Sequence, residues 1–199
     1  MSTWGSSEPS DSADRAAETN LTMQLHRRDR KLAIAFVLAA PVVLIAATAT
    51  AASTDHRAKV TASFASPAPY KTHPAVTYDR QSVPTGSQVE VMERPNDKGG
   101  LVVTLRVWGL DPYRRYDAYV YTKKCGATPA AAGRRTQNGP SKAHYPQNEV
   151  WLNFKTNRHG DASSQVWQYW TFNPGQANSV VIQSRATGGR VACVSVPFN

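Results

Sequence analysis

The sequence predicts an all-β domain, an antiparallel sandwich or barrel, over residues 76–199 of a 199-residue chain. Three observations predict it. Apolar residues recur with period two in several short runs. Turn-forming clusters separate those runs, and no stretch sustains a 3.6-residue period. Apolar residues make up 41% of the chain, enough to bury a core, and the length suits one ordinary domain plus extra segments. Two cysteines exclude both a disulfide-rich mini-scaffold and a cysteine-based zinc cluster.

Taken in order, residues 1–31 open with about twenty Ser, Thr, Ala, Glu and Asp-rich positions that have little to bury, which predicts a disordered head. Its end is a basic knot of Arg27, Arg28, Arg30 and Lys31 around Asp29. Residues 32–52, LAIAFVLAAPVVLIAATATAA, follow without one charge. As a helix, such a run roughly matches the ~30 Å hydrocarbon core of a bilayer. Pro41 is tolerated in a membrane helix. Two readings stay open. In one the run is an uncleaved transmembrane signal-anchor, with the knot holding the N-terminus in the cytoplasm. In the other it is a signal peptide cut within the small residues Ala47 to Ala51. Both export the C-terminal part. Residues 53–75, rich in Ala, Ser, Thr and Pro, read as a tethering linker.

Within the domain, SQVEVM alternates Val89 and Val91 with polar neighbours, and LVVTLRVWGL sets Leu101, Val103, Leu105 and Val107 on one face. NEVWLNF places Val150, Leu152 and Phe154 opposite Trp151 and Asn153, and SVVIQS and RVACVSV add two β-branched runs. About seven strands are expected. One connection, residues 126–147, is far longer than a compact domain ordinarily needs, so it is expected to be functional or disordered. Cys125 stands at its start and Cys193 on the last strand, and an exported compartment allows a bridge between them.

The order of these pieces resembles the copper/zinc superoxide dismutase family, from about Gly99 to Phe198. VWGLDPYRRYDAYVYTKKCG is similar to the strand, turn and strand that carry that family's His-x-His motif and first cysteine. EVWLNFKTNRHGDAS resembles the strand and turn after its zinc loop. SVVIQS resembles the strand ending in its last copper histidine, and GGRVAC its glycine-rich turn, guiding arginine and second cysteine. The resemblance implies a Greek-key sandwich, a Cys125–Cys193 disulfide, and in Arg190 either the anion-guiding arginine or a scaffold residue bonding carbonyls of the long loop.

It also implies copper held by four imidazoles, one of them bridging to zinc. Here the His-x-His positions fall on Tyr119 and Tyr121, the bridging position on Arg135 (with Gly133 as the motif glycine), and the last on Gln183. Neither phenol nor guanidinium replaces imidazole at a copper redox site. Only His144 and His159 remain in the domain, where the family's site needs six histidines. The expectation is therefore no catalytic residue and no copper or zinc cofactor. Tyr119 and Tyr121, which share one strand face, are expected to fill the vacated space. His159 is expected to be exposed in a tight turn, and His144 to be a solvated or structural histidine.

Residues 76–199 carry fifteen Lys or Arg against eight Asp or Glu, hence +7 of the chain's +9. Such a domain outside the cytoplasm is expected to attract anionic envelope polymers or lipid headgroups, while nucleic acid lacks both motif and compartment. The chain thus reads as a single-pass membrane protein, or a secreted one if cleaved, whose extracytoplasmic domain is a non-catalytic binding or structural module. Two alternatives stand beside it. One is superoxide dismutation or metal handling through unrecognised ligands; the other is an unrelated β-sandwich adhesion domain.

Overall fold

The computed structural model of the protein describes residues 57–68, 72–141 and 143–198. The expected head (1–31) and apolar run (32–52) lie outside them. The described residues form nine strands: β1 (Ala58–Ser63), β2 (Ala75–Thr77), β3 (Gln88–Pro95), β4 (Leu101–Trp108), β5 (Arg115–Tyr121), β6 (Phe154–Lys155), β7 (Ala162–Gln168), β8 (Ser179–Ser184) and β9 (Arg190–Ser195). They build two antiparallel sheets, β1-β3-β4-β7 and β2-β9-β8-β5-β6. With β4 beside β7 and β5 beside β8, the strands are linked by Greek-key connections, as the sequence led one to expect.

The period-two runs do the work assigned to them. Val89, Val91, Leu101, Val103, Leu105 and Val107 are all buried and face Ala118, Val120, Val180 and Ile182 across the sandwich. Removing this apolar surface from water, at roughly 25 cal/mol per Å², is what drives the two sheets together.

Three differences from the expectation have clear causes. Residues 58–63, placed in the linker, pair with β3 from Ala58↔Glu93 to Ser63↔Gln88, so the sheet begins well before residue 76. The inward residues of β1 are Ala58, Val60 and Ala62, small enough to leave no apolar periodicity in the sequence yet adequate for an edge strand. The polar-looking ASSQVWQ forms β7 for a similar reason: only its half-buried inner face must meet the core. Conversely, NEVWLNF yields only the two-residue β6 and an isolated bridge between Trp151 and Tyr119. The Ala118 N–H donates to the Asn153 side-chain carbonyl at 3.0 Å instead of to a backbone oxygen, while the Leu152 N–H reaches the Ala118 carbonyl at 2.8 Å. A side-chain amide has replaced one rung of the ladder.

One turn requires its glycine. Gly160 has φ +81°, its carbonyl accepts the Leu110 N–H at 3.0 Å, and a Cβ there would lie 2.0 Å from the Leu110 carbonyl oxygen. His159, beside it, is exposed in the turn as expected; its backbone N–H donates to Asn157 Oδ1 at 2.8 Å.

Candidate functional site: a tyrosine–arginine cluster on the outer face of the second sheet

Because side chains alternate along β5, Tyr116, Ala118 and Val120 enter the core while Tyr119 and Tyr121 point out of the sandwich. They are nevertheless buried, because the long connection lies over them. Its backbone extends the edge of β5: Thr122 N–H donates to the Arg134 carbonyl (2.9 Å), Lys123 N–H to the Ala132 carbonyl (3.0 Å), and Thr136 N–H to the Val120 carbonyl (2.9 Å). The Cys125–Cys193 disulfide ties one end of it to β9. Tyr119, Tyr121, both cysteines, Val181 and Ala132 make a second apolar cluster, separate from the core between the sheets. The two tyrosines thus fill this space, as expected of large amphipathic side chains.

The four positions Tyr119, Tyr121, Arg135 and Gln183 converge. Tyr121, Arg135 and Gln183 line one hollow of about 400 Å³ together with Arg134, His144 and Arg190. Tyr119 lies beneath it, with the Arg135 guanidinium stacked 3.5 Å from its ring centroid. Gln183 Nε2 donates to the Tyr121 hydroxyl at 2.8 Å. A break in register between Ile182 and Gln183 sets Gln183 opposite Arg190, whose guanidinium lies 4.6 Å from the Tyr121 ring centroid. Arg190 donates to the Pro129 carbonyl at 2.9 Å and the Gly133 carbonyl at 3.1 Å. Those are carbonyls of the long connection, so its fork holds that loop on the sheet.

Glu149 is the residue that sequence reasoning missed. Its buried carboxylate accepts from four side chains: Arg135 (3.2 Å) and Trp151 Nε1 (2.9 Å) on Oε2, and His144 Nδ1 (2.5 Å) and Gln137 Nε2 (3.2 Å) on Oε1. The only signal was an acidic residue opening the apolar run VWLNF. Burial pushes its carboxyl pKa up, but hydrogen bonds from His144, Trp151 and Arg135, with the Arg135 charge, outweigh that and hold it below the usual range. Burial pushes the Tyr119 hydroxyl pKa up against the opposing charge of Arg135, so that phenol stays neutral. Burial lowers the Arg135 pKa, but the Tyr121 hydroxyl, Tyr119 and Glu149 together raise it.

This donor set does not suit copper. A guanidinium has no lone pair to give, one phenol is covered by that guanidinium, and three arginines line the hollow. His144 sits with Glu149 rather than alone, but among the described residues no group of three His, Cys, Asp or Glu is placed to hold a metal ion.

The role of Arg190 gives a first expected outcome. Arg190→Lys replaces a planar fork by a point donor that cannot bridge both carbonyls, and stability should fall by about 1–2 kcal/mol. Urea denaturation should show that loss together with faster protease cleavage near Pro129–Ala132.

No family model matches the sequence, and no curated protein matches it. Among solved structures the chain is similar to a mutant of a superoxide dismutase-like protein from Bacillus subtilis, at 14% identity and a TM-score of 0.42, over 63% of this chain and 97% of that one. It is also similar to the copper(II) form of superoxide dismutase 5 from Candida albicans, at 15% identity and a TM-score of 0.46, over 72% of this chain and 93% of that one.

Proposed function

We propose that the chain carries a superoxide dismutase-type sandwich without the catalytic metal centre, and that it serves as a binding or structural module at the cell envelope. One observation carries the reading. Of the positions that the resemblance assigns to copper ligands, Tyr121, Arg135 and Gln183 line one hollow and Tyr119 packs against Arg135, in an interlocked Tyr119–Arg135–Glu149–Trp151 network. Such a network is a self-sufficient packing solution: each charge has a partner and each ring a neighbour. The uncharged run 32–52 behind its basic flank supports membrane attachment, with the domain outside the cytoplasm.

The test is direct. Purified full-length chain, expressed with its disulfide intact and offered copper and zinc, is expected to retain far less than one equivalent of either metal and to scavenge no superoxide above the buffer rate. Stoichiometric copper with rapid dismutation would establish the enzymatic reading instead. N-terminal sequencing of the mature protein separates an intact anchor from cleavage near Ala51.

A further inference from the structure

A second hollow, of about 570 Å³, lies elsewhere, at the end of the second sheet where β5 begins and β8 ends. Strand register makes its wall basic. Arg115 is the direct partner of Lys155 across the β5–β6 pair, and the Arg185 N–H donates to the Arg115 carbonyl at 3.1 Å from the β8 side. Three cations therefore occupy one cross-strand row about 10 Å long, at the ~4.8 Å spacing of neighbouring strands. Like charges placed directly opposite each other oppose pairing, so this row is not explained by folding.

The acidic groups nearby are committed elsewhere. Asp111 is bound by Arg114 at 2.6 Å. Asp79 accepts the Ser82 hydroxyl at 2.6 Å and the Gln81 N–H at 2.9 Å, and the Ser82 hydroxyl first of all holds its pKa below the usual range. Asp117 reaches Arg185 only at 3.9 Å. Among the described residues Arg115 and Lys155 have no acidic partner.

At the rim stands Tyr113, a residue 66% exposed and with φ 58°, the left-handed region that a tyrosine rarely adopts. Residues held in sparsely populated backbone conformations cluster at functional sites. A flat ring beside a cationic row has two complementary uses: stacking a sugar face and leaving its acidic substituent to the cations. Two unpaired cations call for about two negative charges, which a phosphomonoester supplies and a carboxylate does not.

We propose that this hollow binds the phosphate monoester of a sugar, with the phosphate at Arg115 and Lys155 and the sugar ring against Tyr113. The proposal rests on the binding-module reading and deepens it by giving a site and a ligand chemistry. Its test is calorimetric titration of the full-length chain with glucose 1-phosphate, glucose and inorganic phosphate at low ionic strength. Glucose 1-phosphate should bind more tightly than inorganic phosphate, and glucose should not bind. R115Q/K155Q should weaken glucose 1-phosphate by at least about tenfold. Tyr113→Gly, which relieves the backbone, should weaken glucose 1-phosphate several-fold, leave inorganic phosphate unchanged, and raise the melting temperature. Equal binding by the wild type and R115Q/K155Q, or no binding of glucose 1-phosphate, would overturn the site. Equal affinity for the two phosphates, indifferent to Tyr113, would overturn the sugar assignment. Neither result alters the metal content, so this proposal and the metal-free reading fail separately.

Discussion

Replacing Cys125 and Cys193 together by serine is expected to destabilise the domain by about 4 kcal/mol. The bridge joins residues 68 positions apart, and closing a loop of that length removes about this much chain entropy from the unfolded state. The loss is a large share of the 5–15 kcal/mol that ordinarily holds a domain folded. The defect should also be local. The cysteines sit in the outer cluster with Tyr119, Tyr121 and Ala132, not between the sheets. The long connection should therefore lose amide protection before β3, β4 and β7 do. Hydrogen exchange and urea denaturation of C125S/C193S against wild type measure both effects. Uniform loss of protection across both sheets would show that the outer cluster is not a separate unit.

Glu149→Gln is expected to cost about 3 kcal/mol, more than a lost surface ion pair, because the group is buried and every partner is a donor. Two donors meet each oxygen. Whichever way a glutamine amide turns, its NH2 faces two of them, and the Arg135 charge loses its counter-ion over the Tyr119 ring. The pH dependence follows from the lowered carboxyl pKa. A group whose folded pKa lies below its unfolded value stabilises the fold at pH values above the ordinary Glu range near 4.5, and that contribution is lost as pH falls through the folded pKa. Wild-type stability should therefore drop on acidification below about pH 4.5. E149Q should lose that part of the slope and already be weaker at neutral pH. Denaturation midpoints for both proteins between pH 3 and pH 7 test this, and parallel curves would exclude Glu149 as the acid-sensitive group.

The inter-sheet core was legible because one rule governs it: β3, β4 and β8 send alternate apolar residues between the sheets, and that pattern survives in the sequence. Edge strands were not. β1 and β7 bury only one partly covered face, so Ala58, Ala62 and Ser164 suffice where a central strand would need valine. At the site, convergence of Tyr119, Tyr121, Arg135 and Gln183 followed from the family resemblance. Glu149 did not, because its significance depends on donors arriving from Gln137, His144 and Trp151. Three-dimensional placement of those donors leaves no local signature. The cationic row was hidden for the same reason, since Arg115, Lys155 and Arg185 lie far apart in the sequence and become neighbours only through register.

The Asn153 side chain that takes the Ala118 N–H has a consequence for how these molecules behave in a crowd. A free sheet edge is a template: its regular row of backbone donors and acceptors invites a strand from another chain. On the β6 side that row is interrupted, because one donor is already turned onto an amide and the strand ends after two residues. Lys155 then adds a charge at the interruption. An incoming strand would find neither continuous pairing nor a neutral surface, so association through this edge is disfavoured even at high local concentration.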